Sequence, residues 1–169
     1  MKLEELEKII IEYMDSFNTM TLSCVHDGAP WSAPVYYARQ GLDLIFFSSS
    51  KSAHSQALEL NPQAAVSIYD HYQRWQDIRG LQISGQVSAL QSLASLTRAT
   101  KIYLKRHPFA AEFFSNTGFI ADLLARRTRV MLYLFKSQAI HYLDNSQGFG
   151  VRWRMDVQDG RATGIPVRS

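Results

Sequence analysis

The chain has 169 residues, of which 46% are apolar and 20% charged, and its formal net charge is +3. This composition is typical of one globular domain with a sizeable core. The charge is mild and no stretch concentrates it, which argues against a nucleic-acid-binding surface. The longest apolar runs, such as residues 9–11 and 130–135, are too short to span a bilayer, so no membrane association is expected.

The N-terminal sequence MKLEELEKII carries acidic residues where a secretory signal would be basic and then apolar. We therefore expect a cytoplasmic protein. The single cysteine, Cys24, excludes an internal disulfide, and its alternating surroundings are typical of a buried strand. The five histidines are scattered without metal-ligand spacing, so the sequence predicts no metal site.

The first half of the chain reads as a helix followed by a meander of strands. Residues 3–14 form one apolar helical stripe, and residues 19–25 alternate as a half-buried strand. Asp27-Gly28 is a hairpin signal, and Gln40-Gly41 separates the strands expected at residues 31–39 and 42–48. Pro34 cannot donate to a ladder, so the second strand should have an edge or a bulge there.

The second half predicts further strands with helices between them. Helices are expected at residues 51–61, where Asn61-Pro62 is a stop signal, at 90–106, and at 108–127 with an interruption around 116–118. Strands are expected at residues 64–69, 80–87, 129–136 and 138–144, with a loop at 70–78. Six or seven strands with peripheral helices indicate an α+β, mainly β, antiparallel barrel. We expect one domain over residues 1–155 and a C-terminal tail over 156–169.

Hydroxyl groups and one cation crowd the junction of a strand and a helix in LIFFSSSKSAHSQALELNP, residues 44–62. A helix start offers unpaired backbone N–H groups and the positive end of a dipole, so Ser48, Ser49, Lys51 and Ser52 could hold a phosphate. The simpler interpretation is that one serine caps the helix and the others line a solvated turn. No P-loop, nucleophile elbow or dinucleotide fingerprint is present.

The C-terminal segment VRWRMDV could stack on a base or a ring through Trp153, but a loose basic tail is the simpler interpretation.

The order of elements resembles the flavin-binding split barrels related to pyridoxamine 5′-phosphate oxidase. The resemblance runs from about residue 17 to residue 150 and is carried by LIFFSSSKSAHSQALELNPQAAVSIY and the following RGLQISGQV. An apolar strand, a hydroxyl-rich turn with a basic residue, a short helix, Asn-Pro and another strand follow the family's pattern. The closing DNSQGFG resembles a small, poorly characterised bacterial branch of this family.

The resemblance implies flavin mononucleotide (FMN), held at a homodimer interface. Ser48, Ser49, Lys51 and Ser52 would surround the phosphate, and Phe47 would lie near the ribityl chain. The strand segment Ser32, Ala33, Pro34 and Val35 would run along the isoalloxazine ring, partly through backbone groups, and Gln82 is a further candidate. The phosphate needs charge and donors, whereas the flat ring needs a mostly apolar slot.

The sequence departs from the oxidase pattern at several positions. Ser32 and Ser52 stand where the oxidase has basic residues, and Gly80 replaces a glutamine. Fewer charges predict weaker FMN binding, or a different flavin or ligand. IHYLDNSQGFG replaces the Arg-Leu-His run that resembles a substrate clamp, so pyridoxamine phosphate is not the expected substrate.

Two functions are compatible with these residues. The first is a flavoenzyme that passes electrons between a reduced nicotinamide and an unknown small acceptor, because the flavin itself carries that chemistry. The alternative is a non-catalytic sensor or carrier of a flavin or a haem, in which His54, His71 or His141 could bind iron.

Overall fold

The computed structural model describes residues 1–114, 118–125 and 129–169. The helices of this part are α1 (Leu3–Ser16), α2 (Ala53–Leu60), α3 (Leu93–Arg106) and α4 (Phe119–Leu124). Its strands are β1 (Thr19–His26), β2 (Ala29–Gln40), β3 (Asp43–Ser49), β4 (Gln63–Tyr69), β5 (Arg79–Ala89), β6 (Val130–Asp144), β7 (Arg152–Gln158) and β8 (Arg161–Arg168). Short 3-10 helices occupy Trp75–Asp77, Pro108–Phe114 and Asn145–Gln147.

The strands form one antiparallel sheet in the order β3-β2-β1-β4-β5-β6-β7-β8, and a further pairing of β3 with β6 closes it. The first six strands therefore make a closed barrel, which β7 and β8 extend as a hairpin. The expected mainly β barrel with peripheral helices is confirmed. Closure leaves few unpaired strand edges, which protects a small sheet from pairing with other chains.

The barrel interior is filled by the alternating residues of its strands. On β1, Met20, Leu22 and Cys24 are buried, as the alternating sequence predicts. Helix α1 contributes Leu6 and Ile10 to the same core, since its apolar stripe faces inward.

A second apolar cluster lies outside the barrel, where α3 packs on the sheet. Leu96 and Tyr103 of α3 contact a patch that includes Ile45 of β3 and Leu132 of β6. Both faces of the first half of β6 are therefore covered within the chain. This cover explains the apolar character of both faces of RVMLYLFK, residues 129–136.

Strands β2 and β3 separate along part of their length. They pair only from Tyr37 to Gln40, and among the described residues the rest of β2 pairs with β1 alone. Pro34 lies in that portion, opposite Thr21, so its missing N–H faces an unpaired edge, as expected.

The C-terminal segment differs from the expected tail. Asp156 lies within β7, and β8 pairs with β7 over most of its length. Met155 and Val157 are buried in the main core, and the guanidinium of Arg168 lies 5.8 Å from the ring centre of Trp153. The alternation of polar and apolar residues in RWRMDVQ is thus a strand signal, and α1 packs against this hairpin.

The two strands expected at residues 129–136 and 138–144 are one continuous strand, β6. Ser137 lies where the sequence suggested a break. The strand continues through it because its backbone N–H and its hydroxyl are both hydrogen-bonded in the protein interior. Its N–H donates to Asp43 Oδ1 at 3.0 Å and its hydroxyl donates to the Leu42 carbonyl at 2.6 Å. A register shift against Ser84 and Gly85 leaves Gln138 as the extra residue of a bulge.

Other boundaries differ from expectation, among them the start of the helix expected at 90–106, which begins at Leu93. The helix expected from residue 51 begins at Ala53, and the loop at 70–78 contains a 3-10 turn. The segment 108–127 divides into a 3-10 helix and α4, and most of the expected interruption at 116–118 lies outside the described residues.

We expect Met155→Ala to lower the free energy of unfolding by about 3 kcal/mol, because it leaves a cavity in the core. Val167→Ala on the paired strand is the control. Val167 is 56% exposed, so its truncation should change stability by less than about 0.5 kcal/mol. Urea denaturation measures both variants. Equal stabilities of Met155→Ala and the parent chain would contradict the placement of this hairpin.

Candidate functional site

The serine turn, residues 48–52, joins β3 to α2. The β3–β6 ladder reaches Ser49, and the next N–H, from Ser50, donates to the Arg129 carbonyl at 2.8 Å. Ser52 is the N-cap of α2, and its hydroxyl accepts the N–H of Ser55 at 3.3 Å. The expected capping role is confirmed for one serine, while Ser48 and Ser49 make other contacts.

His54, on the first turn of α2, faces the serine turn from inside the protein. Its Nε2 lies 2.5 Å from Ser48 Oγ and 3.1 Å from Ser52 Oγ. Its ring is buried, and burial lowers the pKa of His54 below the usual value because the charged form is poorly solvated. From the sequence, His54 was a candidate only as an iron ligand, and no sequence signal linked it to the serines.

Lys51 supplies the cation of the serine turn. Its side chain is exposed, and its backbone N–H donates to Ser49 Oγ at 3.2 Å. The ammonium group is therefore available to an anion at the surface of the turn, next to the start of α2.

An apolar cavity of about 340 Å³ adjoins the serine turn. Ser48 and Ser49 form its polar side. The rest of its lining is aromatic or apolar and comes from five elements of the fold: Tyr36, Phe47, Tyr103, Phe109, Ala110 and Val130. The volume suits a ring-bearing small molecule. A ligand with a flat ring and an anionic end would find both environments here.

The aromatic walls of the cavity are held by ring contacts. The rings of Phe47 and Tyr103 are 4.7 Å apart, and those of Tyr36 and Phe109 are 5.3 Å apart. Burial raises the pKa of Tyr103 to about 12, so this phenol stays protonated at neutral pH. Tyr103 and Phe109 come from α3 and the 3-10 helix after it, and no sequence signal linked them to the serine turn.

His107 fixes this aromatic wall to the barrel. Its Nε2 lies 2.7 Å from the Tyr37 carbonyl, which can only accept, so the ring N–H donates. The ring also contacts Tyr36 and Tyr103, with centres 5.4 Å and 4.8 Å away. Burial lowers the pKa of His107, consistent with a neutral structural histidine.

The candidate residues on β2 lie beyond the cavity, along the edge portion of that strand. Ser32 and Pro34 are exposed on the outer face of the sheet, where the hydroxyl of Ser32 lies 3.0 Å from that of Ser23. Ala33 is half-buried, and the side chain of Val35 belongs to the barrel core. Only the backbone of Val35 is therefore offered to a ligand on the outer face.

Gln82 lines a different cavity, of about 670 Å³, between β4, β5 and the 70–78 loop. It is exposed on the outer face, in one row with Pro34, Thr21 and Ser67 on neighbouring strands. Three strand spacings separate Pro34 from Gln82, a distance of about 14 Å. Gln82 also pairs with His141 of β6, whereas Ser49 pairs with Val130 near the other end of that strand, so within one chain Gln82 is not brought together with the serine turn.

The segment DNSQGFG is a structural turn between β6 and β7. Asp144 pairs with Arg79 at 3.2 Å and accepts the hydroxyl of Ser146 at 2.6 Å. Asn145 donates to the Trp75 carbonyl at 2.8 Å and accepts the N–H of Gly150 at 3.0 Å. These hydrogen bonds and the ion pair therefore stabilise the turn.

Within the described ranges, no group of three or more His, Cys, Asp or Glu side chains could hold a metal ion. No helix of this part of the chain is long and apolar enough to cross a membrane.

We expect Ser52→Ala to lower the free energy of unfolding by about 1–2 kcal/mol, because α2 loses its N-cap. Ser50→Ala is the matched control, since its hydroxyl makes one long hydrogen bond, 3.4 Å from the Arg129 carbonyl. Urea denaturation without added ligand measures the difference. A Ser52→Ala variant as stable as Ser50→Ala would contradict the capping geometry.

Solved structures share this fold. The haem-binding protein of Mycobacterium smegmatis matches with a TM-score of 0.68 and 17% identity over 91% of this chain, which spans 57% of that protein. ChuZ of Campylobacter jejuni matches with a TM-score of 0.68 and 16% identity over 96% of this chain and 63% of its own. An FAD-binding protein of Mesorhizobium loti matches with a TM-score of 0.59 and 16% identity over 77% of this chain and 88% of its own.

The sequence matches no curated protein. The family model described as pyridoxamine 5′-phosphate oxidase, however, matches residues 6–145. This range includes all six barrel strands and the whole serine turn. Most of the chain is covered, and the chain therefore belongs to the pyridoxamine 5′-phosphate oxidase family.

Proposed function

We propose that the protein binds FMN and acts as an oxidoreductase that passes electrons between a reduced nicotinamide and a small acceptor. The observation that carries this proposal is the shared lining of the serine turn and the aromatic cavity. Ser48 and Ser49 belong to both, so a phosphate held at the serine turn would adjoin an apolar slot. The bound flavin would supply the redox chemistry through its ring system. The chain binds and orients it and excludes water.

The phosphate end of the flavin suits the serine turn. Lys51 offers a full charge at its surface, and Ser48, Ser49 and Ser52 offer hydroxyl groups. The adjacent N-terminus of α2 adds the favourable end of a helix dipole. In this proposal the turn binds the phosphate by charge and hydrogen bonds and leaves the ring system to the apolar surfaces.

The remainder of the flavin has two surfaces available. Phe47, which precedes Ser48 on β3, lines the aromatic cavity next to its polar side. This position suits a contact with the ribityl chain. The edge portion of β2 offers Ser32, the half-buried Ala33, Pro34 and the backbone of Val35 to the ring. That edge is unpaired by β3 over the described residues, so its backbone groups are available to a ligand.

A second copy of the chain completes the site in this proposal. The described helices leave the outer face of β1, β4 and β5 open. Helix α3 packs on β2 and β3, α4 on β6, and α1 on β7 and β8, while α2 contacts β1 and β5 with its buried Ala57 and Leu58 in the barrel core. The open face carries short side chains that are half-buried or exposed, such as Thr21, Ser67 and Ser84. A homodimer through this face would let Gln82 reach the flavin held mainly by the other subunit.

Pyridoxamine phosphate is not proposed as the substrate. IHYLDNSQGFG, residues 140–150, stands where the oxidase has its Arg-Leu-His run. In this segment, hydrogen bonds within the protein already engage the side chains of Asp144, Asn145 and Ser146. The reducing partner and acceptor are therefore proposed only by class, a reduced nicotinamide and a small molecule.

A non-catalytic carrier or sensor of a flavin or a haem is the second candidate, favoured by the fold shared with the M. smegmatis haem-binding protein. Among the three histidines considered as iron ligands, His71 is exposed and lines the 670 Å³ cavity. His54 is engaged by serines, and His141 is half-buried on the outer face. A Soret band on hemin titration that disappears in His71→Ala would favour this candidate.

We expect Lys51→Ala to weaken FMN binding about tenfold, because a charge-assisted contact with the phosphate is lost. Riboflavin, which lacks the phosphate, should bind equally well to both proteins. Quenching of flavin fluorescence measures both ligands, and Lys105→Ala on α3 is the control. An equal loss for FMN and riboflavin, or no loss, would contradict the phosphate site. Bleaching of the bound flavin by NADH or NADPH then tests the redox role.

The proposed dimer predicts that Ser67→Arg converts the protein to a monomer and weakens FMN binding. Ser67 lies at the middle of the uncovered sheet face, where an arginine would introduce unpaired charge into the interface. Thr97→Arg on the exposed side of α3 is the matched control and should remain dimeric. Sedimentation velocity gives the mass, and a monomeric parent chain that binds FMN tightly would sink the proposal.

A further inference from the structure

Each serine hydroxyl around His54 has only one hydrogen to donate, which limits the hydrogen bonds these serines can make. Ser52 Oγ accepts the N–H of Ser55, and its one hydrogen has two acceptors within reach, the Ser49 carbonyl at 2.8 Å and Ser55 Oγ at 2.9 Å. The carbonyl can only accept, whereas the Ser55 hydroxyl can itself donate to Ser52, so the Ser52 hydrogen is assigned to the carbonyl, and either acceptor would use it up. Ser52 then has no hydrogen left for His54, and the 2.5 Å contact between His54 Nε2 and Ser48 Oγ determines what Ser48 offers to a ligand.

Two arrangements satisfy the contact between His54 and Ser48. If Nε2 has no proton, the Ser48 hydroxyl donates to the ring and presents only lone pairs to the turn, which would repel a phosphate oxygen. If Nε2 carries a proton, the ring donates to Ser48, whose hydrogen is then free to donate to the phosphate. A phosphate therefore requires a proton on Nε2.

A neutral ring with its one proton on Nε2 would also meet this requirement, and it is charge that favours the doubly protonated ring. A phosphate monoester carries about −1.5 to −2 charges at neutral pH. Between residues 48 and 55, Lys51 is the one residue with a permanent positive charge in the sequence. An imidazolium at His54 would provide both the proton on Nε2 and a second positive charge.

We propose that His54 is the second cation of the phosphate site: it takes up a proton when the phosphate binds, and its Nε2–H turns the Ser48 hydroxyl toward the phosphate. This inference rests on the proposed function, since it needs a phosphate at the serine turn. It makes His54 a positioning residue for Ser48 and a determinant of selectivity for phosphorylated flavins.

The surroundings of His54 agree with proton uptake on binding. Burial holds the pKa of His54 below its usual value, so the ring is neutral at pH 7 until an anion is near, and an adjacent anion raises that pKa. The neighbouring elements carry other titratable or charged groups. They are Lys51 and Glu59 beside it on its own segment, Cys24 and His26 on β1, Tyr36, Tyr37 and Arg39 on β2, Arg79 on β5 and Arg129 before β6. Among the described residues, burial alone accounts for the shift.

The test compares FMN and riboflavin binding at pH 6.5–8.5 in the parent chain and in His54→Gln, with His26→Gln as a control. The FMN-bound pKa of His54 lies above the ligand-free pKa, so the preference for FMN over riboflavin should rise as the pH falls between these two values. One proton permits a rise of up to about tenfold per pH unit. In His54→Gln the glutamine side chain is uncharged at every pH. The preference of this variant for FMN should therefore change with pH only through ionisation of the phosphate itself.

Calorimetry in two buffers of different ionisation enthalpy measures the protons taken up with FMN. We expect the parent chain and His26→Gln to take up more protons than His54→Gln at pH 7. Nitrogen NMR of the His54 ring, with and without FMN, reports its pKa in the parent chain and needs no variant that could misfold. An unchanged or lowered His54 pKa in the FMN complex would overturn the inference.

Ser48→Ala separates this inference from the proposed function. If Ser48→Ala leaves the preference for FMN over riboflavin unchanged, and Lys51→Ala does too, the phosphate does not bind the serine turn and the proposed function fails. If both variants lose the preference while proton uptake is the same in the parent chain and His54→Gln, the phosphate site stands and the role of His54 alone is refuted.

Discussion

The pairing of β3 with β6 is the constraint on which the site depends. Strand β3 leaves β2 after Tyr37 pairs with Phe46, but its ladder with β6 continues to Ser49 opposite Val130. This pairing closes the barrel and also determines where the chain must turn into α2. The serine turn therefore stands at a rigid position, beside the unpaired edge of β2. Rigid strands that present a polar turn give a site better geometry than a free loop would.

The same closure explains why the site has a polar side and an apolar side. Helix α3 covers the outside of the barrel near β2 and β3, and His107 at its C-terminal end anchors the aromatic wall to the Tyr37 carbonyl. Helix α2 turns its first residues toward the barrel, which buries His54 beneath the serines. Burial makes the ionisation of that histidine sensitive to any anion bound above it. The packing of α2 on the barrel therefore makes the charge of His54 depend on whether an anion is bound at the serine turn.

Local patterns were sufficient to predict the barrel, most strand positions and the serine turn, because alternation, Asn61-Pro62 and the crowded hydroxyls are short-range signals. They were insufficient where distant residues meet. Tyr103 and Phe109 reach the cavity only because α3 packs on β3, and the hydrogen bond between His54 and Ser48 depends on the angle at which α2 leaves the turn. The expected tail was misjudged because its apolar residues are few. Their partners, on α1, lie at the other end of the sequence.

The central claim is that the serine turn binds the phosphate of a flavin. A crystal structure of the protein soaked with FMN tests it most directly, because it places the phosphate without reference to any activity. A phosphate site at the serine turn predicts phosphate oxygens about 3 Å from Ser48 or Ser49 and from the ammonium group of Lys51. It also predicts the flavin ring against Phe47 or the edge of β2. An FMN bound with its phosphate in the 670 Å³ cavity near Gln82, or none bound at all at saturating concentration, would contradict it.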